Sequence, residues 1–115
     1  MDKADIEKKL AELMDTVPEC EGLIAADLEG KVIVGQTILE SDHDAIAEAC
    51  ATIIKDANKL GSNIKKGALK DTTIELEEGF AVIVGGADLI LIALAGSDGK
   101  ASLGLLKRNL TSISK

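Results

Sequence analysis

Apolar positions in this chain keep two different periods. Over residues 3–16, Ile6, Leu10, Leu13 and Met14 recur at helical spacing and lead to Val17, and Pro18 ends the segment. Asp2 and Asp5 stand where an N-cap and a first-turn acid belong. Residues 21–37 hold two apolar runs, 23–26 and 32–34, around Asp27-Leu28-Glu29-Gly30, the pattern of a hairpin. Helical spacing returns over 42–61, with Ser41 or Asp42 as cap and Ile46, Cys50, Ile53, Ala57 and Leu60 as the expected core stripe. Residues 68–77 alternate weakly and are polar enough for an edge strand. The run GFAVIVGGADLILIALAG, residues 79–96, is almost wholly apolar except at Gly85, Gly86 and Asp88. Gly-Gly and Asp at its centre argue against a membrane span and for two buried strands joined by a turn, with glycine supplying positive φ. Neither strand alternates, so both faces of the sheet are expected to be covered. Ser97-Asp98-Gly99 opens a last helix with Leu103, Leu106, Leu110 and Ile113 on its apolar stripe.

The order is therefore α-β-β-α-β-β-β-α. It predicts an α/β fold, a three-layer α/β/α sandwich around a five-stranded, mainly antiparallel sheet. At 115 residues the chain reads as one domain, 1–115, without linker or repeat. Met1-Asp2-Lys3 leads directly into a charged helical pattern, so no signal peptide and a cytoplasmic location are expected. Cys20 and Cys50 lack metal or redox spacing and read as reduced thiols, Cys50 packed as a small hydrophobe.

Charge and composition narrow the chemistry. Twenty acids against 13 bases give a net charge of −7, and Phe80 is the sole aromatic residue. Both facts disfavour nucleic-acid binding, which draws on basic surfaces and stacking aromatics. Gly96-Ser97-Asp98-Gly99-Lys100 lies between a strand and a helix, as a phosphate loop would, but its spacing departs from the P-loop and Ala101 follows the lysine. Gly61-Ser62-Asn63-Ile64-Lys65-Lys66-Gly67 follows a helix and reads as a C-cap and loop. His43 has no nucleophile or metal-ligand companions and reads as an exposed helix-start residue. The carboxylates show no tuned pair, and Arg108 reads as a helix C-terminal cation. No enzyme activity, cofactor or metal is expected.

Helix 42–61 carries the remaining information. Asp44, Glu48, Thr52, Lys55 and Lys59 form one polar face, while Ala45, Ala47, Ala49 and Ala51 keep its flanks small. Small flanks admit a second helix closely, although alanine is also the best helix former.

Taken in order, Glu21-Gly22-Leu23-Ile24-Ala25-Ala26-Asp27, Leu28-Glu29-Gly30, the alanine-rich helix, Ile74-Glu75-Leu76, the 80–95 hairpin and Ser102-Leu103-Gly104-Leu105-Leu106-Lys107 resemble the roadblock/LC7 domain family. Ser102 and Lys107 replace the Asn and Arg of the family's last segment; longin and profilin-like domains share part of this topology. The resemblance implies a homodimer joined through the 68–77 edge strands and the two central helices, with Ala45, Ala49, Lys70, Thr72, Thr73 and Ile74 at the interface. It also implies a small Ras-like GTPase as partner, docked on Asp44, Glu48, Thr52, Lys55 and Lys59, with the dimer as regulator or scaffold. A light-chain-type adaptor, indifferent to nucleotide state, is the alternative; a small-molecule sensor would need convergent polar groups that these strands lack.

Overall fold

A computed structural model describes residues 2–38, 40–86 and 88–114. Its elements are α1 (Lys3–Thr16), β1 (Cys20–Ala26), β2 (Val32–Thr37), α2 (His43–Asn63), β3 (Asp71–Leu76), β4 (Gly79–Gly85), β5 (Ile90–Gly96), a 3-10 turn (Ser97–Ser102) and α3 (Leu103–Ser114). The five strands form one antiparallel sheet in the order β2-β1-β5-β4-β3. The expected three-layer α/β/α sandwich is the observed one.

The unalternating strands are explained by burial on both faces. On one, Ile6, Leu10 and Leu13 of α1 and Leu106, Leu110 and Ile113 of α3 pack on Leu23, Ala25, Phe80, Val82, Val84, Leu91 and Ala93. On the other, Ala47, Cys50, Ala51 and Ile54 of α2 pack on Ile24, Ala26, Ile83, Ile90 and Ile92. The connection β2–α2–β3 carries the chain from one sheet edge to the other, so α2 crosses the sheet face.

The helix starts follow the caps. Asp2 Oδ1 accepts the Asp5 amide at 2.9 Å, and Asp42 Oδ1 caps α2 by accepting the Ala45 amide at 3.1 Å. Three local expectations need correction. The third helix begins as the 3-10 turn and becomes α-helical only at Leu103. The strand expected over 68–77 is shorter, Asp71–Leu76. In the β4–β5 connection, of which Ala87 lies outside the described residues, neither Gly85 nor Gly86 has positive φ. Gly86 sits in close quarters instead: a Cβ there would stand 3.3 Å from both Ser114 Cβ and Ser114 O. Positive φ is used at Gly30, in the β1–β2 turn, and at Gly67.

Candidate partner-binding surface

At about 100° per residue, α2 presents three lengthwise strips. Ala47, Cys50, Ala51 and Ile54 are buried against the sheet, and Gly61 is buried under the backbone of Gly67. Along one side lie Asp44, Glu48, Thr52, Lys55 and Lys59, all exposed. Along the other lie Ile46, Ile53, Leu60 and Ile64. The stripe expected as core is therefore rotated: Cys50 is buried, but Ile46, Ile53 and Ala57 are only half-buried and Leu60 is 59% exposed. The cause is the alanines, which take the innermost positions and bring the helix close to the sheet.

Two contacts orient these strips. Lys55 Nζ lies 3.3 Å from Glu29 Oε2 in the β1–β2 turn. An ideal Cβ on Gly30 would be 3.0 Å from Glu48 Cα, so this turn runs directly beneath the polar side of α2. The polar strip thus faces the β2 edge, and the apolar strip faces β4 and β3. Ala45 and Ala49 lie on the outer surface between the two.

The sheet beyond the apolar strip is incompletely covered. Register places Thr72, Ile74 and Leu76 of β3 beside Ile83, Ala81 and Gly79, on the α2 face. Thr72 and Ile74 are half-buried and Leu76 is 60% exposed, while Leu94 of β5 is half-buried beside Ala81. Asp71, Thr73 and Glu75 point to the opposite face. The residues expected at a dimer seam are thereby divided: Thr72 and Ile74 share a face with the apolar strip, Thr73 points away from it, and Lys70 is exposed just before the strand.

Sequence reasoning missed Leu60, Ile64 and Leu76 as surface residues. Their signal was present, since the apolar arc of α2 is wider than one buried face needs. Loop anchoring fixes the end of this surface: Asn58 Oδ1 accepts the Leu69 amide at 2.7 Å, and Gly61 O accepts the Lys66 amide at 2.7 Å.

The other candidates resolve structurally. His43 is half-buried rather than exposed, with Nε2 3.0 Å from Thr37 Oγ1 and Nδ1 over Gly35. Carboxylates crowd the 96–100 turn: Ser102 Oγ donates to Glu19, and an ideal Cβ on Gly96 would be 2.7 Å from Glu21 Oε2. Such a turn repels a phosphate. Arg108 is exposed on α3. Burial pushes the Cys50 thiol up to about 11 and raises Cys20 as well, so neither is an activated nucleophile. Among the described residues no group of three or more His, Cys, Asp or Glu is placed to hold a metal, and no helix is long and apolar enough to cross a membrane.

A central helix over an antiparallel sheet, with an apolar flank and an adjoining strand edge, defines an interaction domain of the roadblock type. The Roadblock/LC7 domain family model matches residues 6–95, and the chain belongs to that family. Among solved structures it is similar to Myxococcus xanthus MglB, with 14% identity, a TM-score of 0.83 and coverage of 97% of this chain and 89% of that one. A Roadblock/LC7 domain from Streptomyces avermitilis has 18% identity and a TM-score of 0.80, covering 92% and 91%. The gliding protein MglB from Thermus thermophilus has 13% identity and a TM-score of 0.79, covering 95% and 84%. No curated protein sequence matches the chain.

Proposed function

We propose that this chain is a dimeric regulatory or scaffolding protein that binds a small Ras-like GTPase and performs no covalent chemistry itself. The observation that carries this reading is the apolar surface made by Ile46, Ile53, Leu60 and Ile64 of α2 with Ile74 and Leu76 of β3. Leu60, Ile64 and Leu76 cost free energy while they face water, at about 25 cal/mol per Å², and a second copy of the same face would cover them. Family membership supports the same reading, since roadblock domains commonly pair and serve small GTPases.

In such a dimer the polar strips, Asp44, Glu48, Thr52, Lys55 and Lys59, remain free for the GTPase, and the small Ala45 and Ala49 let the two central helices approach each other closely. Hydrolysis is stimulated only if the dimer binds the transition-state arrangement of the switch regions more tightly than the GTP state. A dimer that binds both equally localises the GTPase instead.

The test is affinity purification of the tagged chain from its own lysate with a non-hydrolysable GTP analogue or GDP, followed by mass spectrometry. A small GTPase enriched at least fivefold with the analogue is expected. The variant Glu48→Lys/Lys55→Glu should lose it while staying dimeric. Partners unaffected by nucleotide, with no GTPase among them, would replace this reading with that of a structural adaptor.

A further inference from the structure

Charge reverses sign at the end of the chain. Residues 99–115 hold four bases and no acid, whereas the first 98 residues hold 20 acids against nine bases. Within α3, Leu106, Leu110 and Ile113 are buried, so the helix turns Gly104, Leu105, Arg108 and Ser112 to solvent. Leu105 is 39% exposed. Lys107 lies beside this row, towards β3. The face lies across the sheet from α2.

Gly104 is unexplained by the fold. It does not have positive φ, and among the described residues a Cβ there would meet no atom within 4 Å. Glycine in a helix is less stable than alanine, so neither backbone conformation nor internal packing calls for it. Its missing side chain leaves a notch one turn before Arg108, beside Leu105. Gly104, Lys107, Arg108, Thr111 and Ser112 line a shallow groove of about 500 Å³ there.

The bases beside the notch suit carboxylates. Lys107 Nζ already lies 3.5 Å from Asp71 Oδ1. Arg108 has no ion-pair partner among the described residues, and its planar fork can bind a carboxylate through two bonds. Size selects the kind of anion. The row from Gly104 to Ser112 is only ~12 Å long. α1 packs beside α3 and carries Asp2, Asp5, Glu7, Glu12 and Asp15. A duplex or a bilayer would meet those carboxylates within the ~10 Å over which charges act at 0.1 M salt. A short segment need not.

We propose that the outer face of α3 docks an acidic amphipathic segment of a partner protein. Its apolar side sits on Leu105 and in the Gly104 notch, and its carboxylates meet Arg108 and Lys107. This is a second surface, opposite the one read above as the GTPase site, and it rests on neither that site nor the dimer.

Fluorescence anisotropy tests it with a labelled helical peptide of glutamate, alanine and leucine, against the same peptide with glutamine for glutamate. The glutamate peptide should bind at least tenfold more tightly. Arg108→Glu should weaken it at least tenfold. Lys31→Glu, an equal change of charge at an exposed lysine outside α3, should weaken it less than twofold. Gly104→Leu fills the notch in open space, so it should keep or raise Tm and still lose the peptide. Asp71→Asn releases Lys107 and should tighten binding at least twofold. Equal affinity for the two peptides, equal effects of Arg108→Glu and Lys31→Glu, or native binding by Gly104→Leu overturns the proposal. Binding of duplex DNA or phosphatidylserine vesicles that Arg108→Glu abolishes, with no binding of the glutamate peptide, overturns the acidic segment as occupant. GTPase capture through α2 should be unchanged in Arg108→Glu, so each reading can fail without the other.

Discussion

Gly30 is the residue on which the β1–β2 turn and α2 both depend. Its φ is +88°, and a Cβ would be 3.0 Å from Glu48 Cα and 3.2 Å from Ala47 O, backbone on which no rotamer change gives relief. Left-handed backbone at a non-glycine residue costs ~1–3 kcal/mol before any displacement of α2. Gly30→Ala is expected to lower Tm by roughly 5–15 °C in a thermal melt. Cys50 sets a pH dependence of definite sign. Its thiol is raised from 9.0 to about 11 by burial, so the contribution is complete below pH 9 and is lost as pH rises towards 11, where the unfolded thiol ionises first. Urea midpoints measured from about pH 8 to 10.5 should fall more steeply for the native chain than for Cys50→Ala. Gly30 was legible as a turn glycine from Asp27-Leu28-Glu29-Gly30, whereas the half-buried seat of His43 was not, because it depends on Gly35 of β2 leaving room for the ring.

At the scale of elements, hydrophobic period predicted the order and type of every helix and strand, and missed rotation and length. The rotation of α2 was hidden because alanine gives a weak hydrophobic signal while packing closest to the sheet; Ile46, Ile53 and Leu60 dominated the pattern from one side of the true buried face. The polar strip was legible as a strip, but only the contact between Lys55 and Glu29 shows which sheet edge it faces. The exposed apolar surface is divided between α2 and β3, a helix and a strand of different period, so no single local pattern announced it. The loop that leads from α2 into β3 is tied back to the helix by the 2.7 Å bond from the Leu69 amide to Asn58 Oδ1. Asn58→Ala leaves a half-buried amide unpaired, a cost of ~1–3 kcal/mol. Hydrogen exchange should accelerate first over residues 65–71, with β1 and β5 protected to nearly the wild-type level.

For the molecule as a whole, the proposed self-association through the α2–β3 face would link stability to concentration. If two folded copies bind and the unfolded chains do not, a tenfold increase in protein adds ~1.4 kcal/mol per dimer. A Tm rise of about 3–6 °C is expected for a dimer of this size. Leu76→Lys, at a position already 60% exposed in the single chain, should leave the fold intact, give a monomer, and abolish that rise. Salt separates this interface from one held by ion pairs. Each copy carries a net charge of −7, so two copies repel, and the face proposed to join them is apolar. Screening shortens the reach of that repulsion to ~10 Å at 0.1 M salt and ~3 Å at 1 M. Dimer dissociation constants measured by sedimentation should therefore fall as sodium chloride is raised. A seam held mainly by opposite charges would weaken over the same range, and that outcome would displace Leu60, Ile64 and Leu76 as the residues that join the copies.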